Sequence, residues 1–457
     1  MTNKITKFIK THKVNLLIFT IPAITIIYYA AKLLTNFDES YTYFHFVDKP
    51  VYYCMFHYPF PNNHILHSLL MHLANLLPIP DPLIRLRVFV IIGSICTWLI
   101  TYYFTNKYYG QKVAMFISGL FPMMAFSISF GFFSRGYYLI LLFFIICLFA
   151  AYDIVKNNNS RRGWIMFSIS SILGFYTMPS FLYPFLTVNA IIFVFNYKNI
   201  KKQILYNAIT GTSVFLLYLP IIIFDGIEVL IGNDIVRPIG RFTVLKRLPE
   251  FLYSLISVAS GIKGWIILIA LIVSLALLIK KRDRSNLIIF AILAAAPFGL
   301  LILHGVIPFE RTFAYYSFII IFLIGISFSD YINKVPKTAL MAGIVALQIF
   351  LFINYGKHEY YRAHTFGKEF TAIRHTIIEE HKSCYISTWW AEEFFRFEAL
   401  REGSDQSKIT YGNQFELVSA DTLDYDYIFI DVVKDMTESR KAAYSDGLAN
   451  LYVKEKE

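Results

Sequence analysis

Charge is scarce in this chain. Only 16% of its 457 residues are Asp, Glu, Lys or Arg, against 56% hydrophobic and 18% aromatic, and the mean hydropathy is +0.53. A soluble globular domain carries about a quarter charged residues, so that class is excluded and a polytopic membrane protein remains. Cysteine is scarcer still. Cys54, Cys96, Cys147 and Cys384 form no CxxC pair and no finger spacing, which excludes a zinc finger or a disulfide scaffold. Cys96 and Cys147 fall inside apolar runs and read as small hydrophobes. Cys54 and Cys384 fall outside them, where a bridge between the two and a pair of free thiols stand as alternatives. The net charge of +11 does not point to nucleic acid, because the basic residues sit in short runs between apolar segments, where they set topology.

What the chain has in abundance is long apolar runs. Taking about 17 to 23 residues as one crossing, runs lie near 14–34, 84–105, 112–130, 136–154, 163–178, 180–196, 204–224, 263–279, 287–304, 313–331 and 338–355. This predicts about eleven transmembrane helices, the first kept as an anchor. Residues 1–355 form the membrane domain and 356–457 a soluble domain. Alternate loops carry Lys107 and Lys112, Lys156 with Arg161 and Arg162, Lys198 with Lys201 and Lys202, Lys280 to Arg284, and Lys334 with Lys337. The positive-inside rule then puts these loops and the N-terminus in the cytoplasm. The loop at 35–83 and everything after Tyr355 fall on the outer face.

Several arginines violate that charge rule. Arg85, Arg87, Arg135, Arg237, Arg241, Arg247 and Arg311 fall at or near the outer surface. Each alone reads equally well as a partner for an outer acid or a lipid headgroup. As a group they suggest a phosphate site, since guanidinium makes forked, charge-assisted bonds to phosphate oxygens.

The outer loop opens with Asp38-Glu39, two carboxylates just past a membrane helix, where ionisable groups usually line a cavity. It continues through Tyr58-Pro59-Phe60-Pro61-Asn62-Asn63-His64 into His64–Leu77, whose polar residues at 64, 67, 68, 72 and 75 share one helical face. That spacing predicts a helix lying in the membrane interface with its histidines on the wet side. The histidines at 45, 57, 64, 67 and 72 include no HExxH pair, so wet-face polarity is the simpler reading than a metal.

Beyond residue 356 charge rises. Phe366–His381 and Ala391–Arg401 read as helices, and Ser383–Thr388, Lys408–Tyr411 and Tyr425–Val433 as strands, which predicts a small α/β layer. It has neither a GxGxxG nor a P-loop, so nucleotide binding is unsupported. Trp389-Trp390 suits a core or interface position more readily than a sugar platform.

Asp38-Glu39 after the first span, Pro59-x-Pro61-Asn62-Asn63-His64, Leu86-Arg87-Val88-Phe89, Phe132-Phe133-Ser134-Arg135-Gly136-Tyr137-Tyr138 and Pro308-Phe309-Glu310-Arg311-Thr312 together resemble the GT-C class of integral-membrane glycosyltransferases. Within it the likeness is to glycosyltransferase family 39, the protein O-mannosyltransferases and aminoarabinose transferases, and it is strongest over residues 36–140. The resemblance implies an inverting glycosyltransferase taking a sugar from a polyprenyl-phosphate donor to a hydroxyl of a glycan, lipid or protein acceptor on the outer face of a bacterial inner membrane. It implies Asp38 as base and Glu39 as its neighbour. Arg135, Arg311, Tyr137 and Arg87 would hold the donor phosphate, and His64, Asn63 and Glu310 would line the substrate cavity. A divalent metal on Asp38, Glu39 and His64 is left open. A flippase for lipid-linked sugars and a surface-polysaccharide polymerase or ligase are the alternatives.

Overall fold

The computed structural model describes residues 13, 15–59, 61–157, 160–231, 238–374, 383–387, 389–403, 409–412, 416–445 and 449–454, without the side chains of 358–374, 389, 390, 431, 433, 444 and 449. Helices dominate, at 76% of the structure. The principal ones are α1 (Thr20–Lys32), α2 (Phe37–Thr42), α3 (Ile65–Ala74), α4 (Pro82–Tyr109), α5 (Gln111–Leu120), α6 (Ala125–Phe132), α7 (Tyr137–Lys156), α8 (Arg161–Thr177), α9 (Leu182–Asn196), α10 (Ile200–Phe224), α11 (Arg241–Ser260), α12 (Gly264–Lys281), α13 (Arg284–His304), α14 (Tyr316–Ser327), α15 (Lys337–Arg374) and α16 (Trp389–Arg401).

Seven helical stretches are long and apolar enough to cross a membrane, or eight if the bent pair α5–α6 is one crossing. Among the described residues this is fewer than the eleven runs read from the sequence, for three physical reasons. The run at 112–130 bends by 66° after Met123, at a short turn containing Pro122. The runs at 180–196 and 204–224 lie in one nearly continuous helical stretch, Pro179–Phe224. The runs at 163–178 and 313–331 form helices of only 17 and 12 residues, about 25 Å and 18 Å at 1.5 Å per residue.

Helix α7 is the axis of the bundle, with nearly every residue from Tyr137 to Ile154 buried. It approaches α4 closely at Gly93, where an added Cβ would stand 2.4 Å from the Tyr138 ring. Contacts sort the connections to two ends. Lys107 pairs with Asp153, Lys112 donates to the Asn333 and Val335 carbonyls, and Lys281 pairs with Asp330, so these basic connections gather at one end. The loop of residues 35–81, Arg135, Arg311 and Asp225 meet at the other.

At that second end sits the small C-terminal layer, a five-stranded sheet of order β2-β1-β3-β5-β4. Strands β1 (Cys384–Ile386), β2 (Ile409–Tyr411) and β3 (Tyr427–Asp431) are parallel, whereas β5 (Ala449–Val453) is antiparallel to both β3 and β4 (Tyr444–Ser445). The three strands and the second helix expected from sequence are present. The first expected helix, Phe366–His381, is the continuation of α15 as far as Arg374, and its last seven residues lie outside the described ones. All four cysteines are free thiols, so the Cys54–Cys384 bridge is not formed.

Candidate functional site

The site begins with a helix cap. Asn36 Oδ1 accepts the Glu39 N–H at 2.9 Å while Glu39 Oε2 accepts the Asn36 N–H at 3.2 Å, the reciprocal pairing of an Asn-x-x-Glu capping box. That box fixes the start of α2 and turns its two carboxylates apart.

Glu39 faces inward and is fully buried beside fully buried Arg87. Arg87 donates from Nε to Glu39 Oε1 at 3.0 Å and from Nη2 to Oε2 at 2.7 Å. Its other three N–H groups go to the carbonyls of Ala30, Leu33 and Leu34 at the end of α1. All five guanidinium donors are therefore used. Glu39 also accepts the Ser134 N–H at 2.6 Å, so each of its oxygens takes two hydrogen bonds. From sequence, Glu39 was expected to share in the chemistry and Arg87 in phosphate binding. The geometry corrects both, because together they form a buried tie that joins α1, α2, α4 and the start of α7.

Asp38 faces the opposite way and stays one-fifth exposed at its side chain. Its Oδ2 accepts from Arg311 Nη1 at 2.9 Å and lies 3.8 Å from Arg135 Nε, too far for a hydrogen bond. Arg135 is 3% exposed. Its Nη1 donates to Thr42 Oγ1 at 2.9 Å and to the carbonyls of Asn62 and Asp38, while Nε is buried without a hydrogen-bond partner among the described residues. Two guanidinium cations thus face one carboxylate, leaving one positive charge uncompensated at a partly open surface. Tyr137 stands beside them, sensing Arg311, Arg135 and Asp38.

His64 completes this group. The Gly136 N–H donates to His64 Nδ1 at 2.8 Å, so in the neutral ring the proton sits on Nε2. Nε2 lies 3.3 Å from Arg135 Nη2, which sets one donor against another unless an acceptor lies between them. Gly136 permits this approach, since an added Cβ would come within 2.9 Å of His64 Cβ. Burial first, then the charges of Arg135, His67 and Arg311, holds the His64 imidazole well below its ordinary range. The ring is a neutral N–H donor and not a titrating base.

Other expectations need correcting. Asn63 does not line the cavity: buried, it donates to the Cys54 and His57 carbonyls and ties the loop. Glu310 turns from Arg311 to accept from Ser254 Oγ at 2.6 Å. Asp38, Glu39 and His64 do not converge, because Glu39 is taken by Arg87. Among the described residues no three His, Cys, Asp or Glu side chains stand together as a metal site. The histidine face of α3 is its buried face, with His67 and Ser68 inside and Leu73 and Leu76 exposed. It is inverted because Ser134, Arg135 and Gly136 offer polar partners inside while the leucines look outward. Of the other outer arginines, Arg241 donates to the Leu303 carbonyl, and Arg237 lies outside the described residues. Sequence reading missed Thr42, and it quoted Asn62 and Ser134 within motifs without giving them these contacts; the Asn36-x-x-Glu39 cap was a further readable signal.

Burial and the nearby Arg135 charge hold the His67 imidazole down to about 3. Its pKa in the fold is below the unfolded value, so its stabilising effect is complete above about pH 6.5 and is lost as the pH falls toward 3. Thermal unfolding of the detergent-solubilised protein is expected to show a midpoint that drops steadily from pH 7 to pH 5. In His67→Gln that drop becomes shallower, and an equal slope in the two proteins would contradict the assignment.

The fold and site together define a membrane-embedded helical bundle with a carboxylate–arginine cluster at one end, beneath a small mixed sheet. Comparison with family models and with curated proteins finds no match to this chain.

Proposed function

We propose that this protein is an inverting glycosyltransferase that moves a sugar from a polyprenyl-phosphate donor to an acceptor hydroxyl. The observation that carries the reading is the partly exposed Asp38 carboxylate held between Arg311 and Arg135, with one positive charge to spare. A lipid phosphate placed there takes Arg311 away from Asp38 and leaves the carboxylate's Oδ2 free to accept from the acceptor hydroxyl. Asp38 then removes the acceptor hydroxyl's proton as the oxygen attacks the anomeric carbon. The bond from that carbon to the phosphate oxygen breaks, and its electron pair moves to the phosphate. Arg135, Arg311 and the His64 Nε2–H face the growing negative charge. Tyr137 borders the same site. One displacement inverts the anomeric centre, and no second carboxylate is needed as a nucleophile.

The path through the membrane is part of the proposal: eleven crossings, with α8, α9, α10 and α14 each counted, the N-terminus in the cytoplasm of a bacterial inner membrane and the site on the outer face. The donor, a glycan, lipid or protein acceptor and the surrounding lipids are the partners, and a divalent metal enters no step. Purified protein given polyprenyl-phosphate hexoses should release polyprenyl phosphate and form a product whose anomeric configuration, read by NMR, is opposite to the donor's. Retention, or no donor consumed, would overturn the reading.

A further inference from the structure

A second cluster lies where the C-terminal layer meets α2, and the proposed chemistry does not use it. Phe37, Tyr41 and His45 recur every fourth residue through α2 and the turn that follows it, and their rings form a row. Centroids are 5.6 Å apart from Phe37 to Tyr41, and 3.9 Å from Tyr41 to His45, with the last two nearly parallel. All three residues are partly exposed. Eight residues of helix cover about 12 Å, so the row runs from the turn that holds Asp38 to the C-terminal layer. There His45 Nε2 meets Glu393 Oε1 at 2.7 Å.

Glu393 is only 7% exposed, and its second oxygen, Oε2, is buried with no partner among the described residues. A buried carboxylate oxygen without a donor is costly. The Tyr411 hydroxyl is also buried without a hydrogen-bond partner among the described residues, within electrostatic reach of Arg396, Glu392 and Glu393. The position is one that the topology favours. Tyr411 ends β2 and α16 begins just after β1, while β1 lies between the parallel β2 and β3. The cluster therefore sits outside the carboxyl ends of the parallel strands β1 and β2, the end of an open α/β sheet at which ligands bind.

The chemistry of the crevice selects its occupant. Burial, with Glu393 close by, pushes the Tyr41 phenol up to about 12, and burial also raises Tyr411, so both are neutral hydroxyls. With Arg396 3.8 Å from Glu392, the cluster mixes donors and acceptors: two carboxylates, one guanidinium, two phenols and an imidazole. A cationic ligand would only donate and could not accept from the Tyr411 hydroxyl. A sugar both donates and accepts through its hydroxyls and lays its flat C–H face on aromatic rings.

Resting on the transfer reading above, we propose that the crevice between the Phe37–Tyr41–His45 row and Glu393–Tyr411 is the acceptor subsite, and that the acceptor is a glycan. Glu393 Oε2 accepts a sugar hydroxyl, Tyr411 donates to or accepts from another, and the ring row guides the chain's end toward Asp38.

The test is binding, measured by saturation-transfer NMR on the full chain in detergent. The probes are linear trisaccharides of mannose, glucose and galactose, set against a Ser- and Thr-containing hexapeptide. At least one trisaccharide should bind. Glu393→Gln and the shape-conserving Tyr411→Phe should each weaken it by about tenfold. Binding of the peptide alone, of no trisaccharide, or equally by both variants and the wild type would overturn the inference. The two readings fail separately: a chain that binds saccharide but consumes no polyprenyl-phosphate donor refutes transfer alone, and one that consumes donor but binds only peptide refutes the glycan subsite alone.

Discussion

Asp38→Asn is expected to lower sugar transfer by about 10²- to 10⁴-fold, the range that a positioned general base contributes. The amide matches the carboxylate in shape and can still accept from Arg311, so the fold around α2 is retained. What it loses is the capacity to take the acceptor's proton. The Asp38 backbone carbonyl accepts from Thr42 Oγ1, Asn62 Nδ2 and Arg135 Nη1, and the side-chain change leaves those contacts in place. The check is turnover of polyprenyl-phosphate hexose by purified, monodisperse variant at saturating donor. Activity within about threefold of wild type would remove Asp38 from the chemistry.

Arg87→Leu is expected to produce the largest loss of stability, about 3–5 kcal/mol, as when one partner of a buried ion pair is deleted. The leucine strands the Glu39 carboxylate in the interior with only the Ser134 and Asn36 N–H groups, and it leaves the Ala30, Leu33 and Leu34 carbonyls bare at the end of α1. It also removes the guanidinium from above the Phe132 and Phe133 rings, each 5.5 Å away. Adding Glu39→Gln should recover part of the loss, since the stranded charge is its largest component. Heat inactivation of the three proteins gives the comparison. A single variant as heat-resistant as wild type, or a double variant worse than the single by the full cost again, would refute this role.

Much of the architecture was legible because it rests on composition and period. The apolar runs mark the membrane domain, and Tyr427–Asp431 was visible as a run of alternating aromatic and branched residues. What the sequence could not show was direction. Asp38 and Glu39 are neighbours of one chemical type, yet the capping box points one into the core and the other to a cluster with Arg311, 273 residues away in the chain. The same blindness inverted α3: polar spacing reveals a face, but not whether water or Arg135 lies opposite it. The outer arginines were grouped by sign and side, and only contacts separate the structural Arg87 from the uncompensated Arg135. Strand β4 was missed because two residues carry no pattern, and β5 because Ala449-Asn450-Leu451-Tyr452-Val453 opens with residues of low strand preference and does not alternate.

Helix α15 begins near the basic end and continues without a break for 38 residues to Arg374. Each residue of an α-helix advances the chain by about 1.5 Å and turns it by about 100°, so one residue more or fewer would turn the far end of α15 by more than a quarter of a circle. Arg401 on Asp81 and Glu393 on His45 are moorings of the sheet to the outer loop, and their hold is independent of that helix.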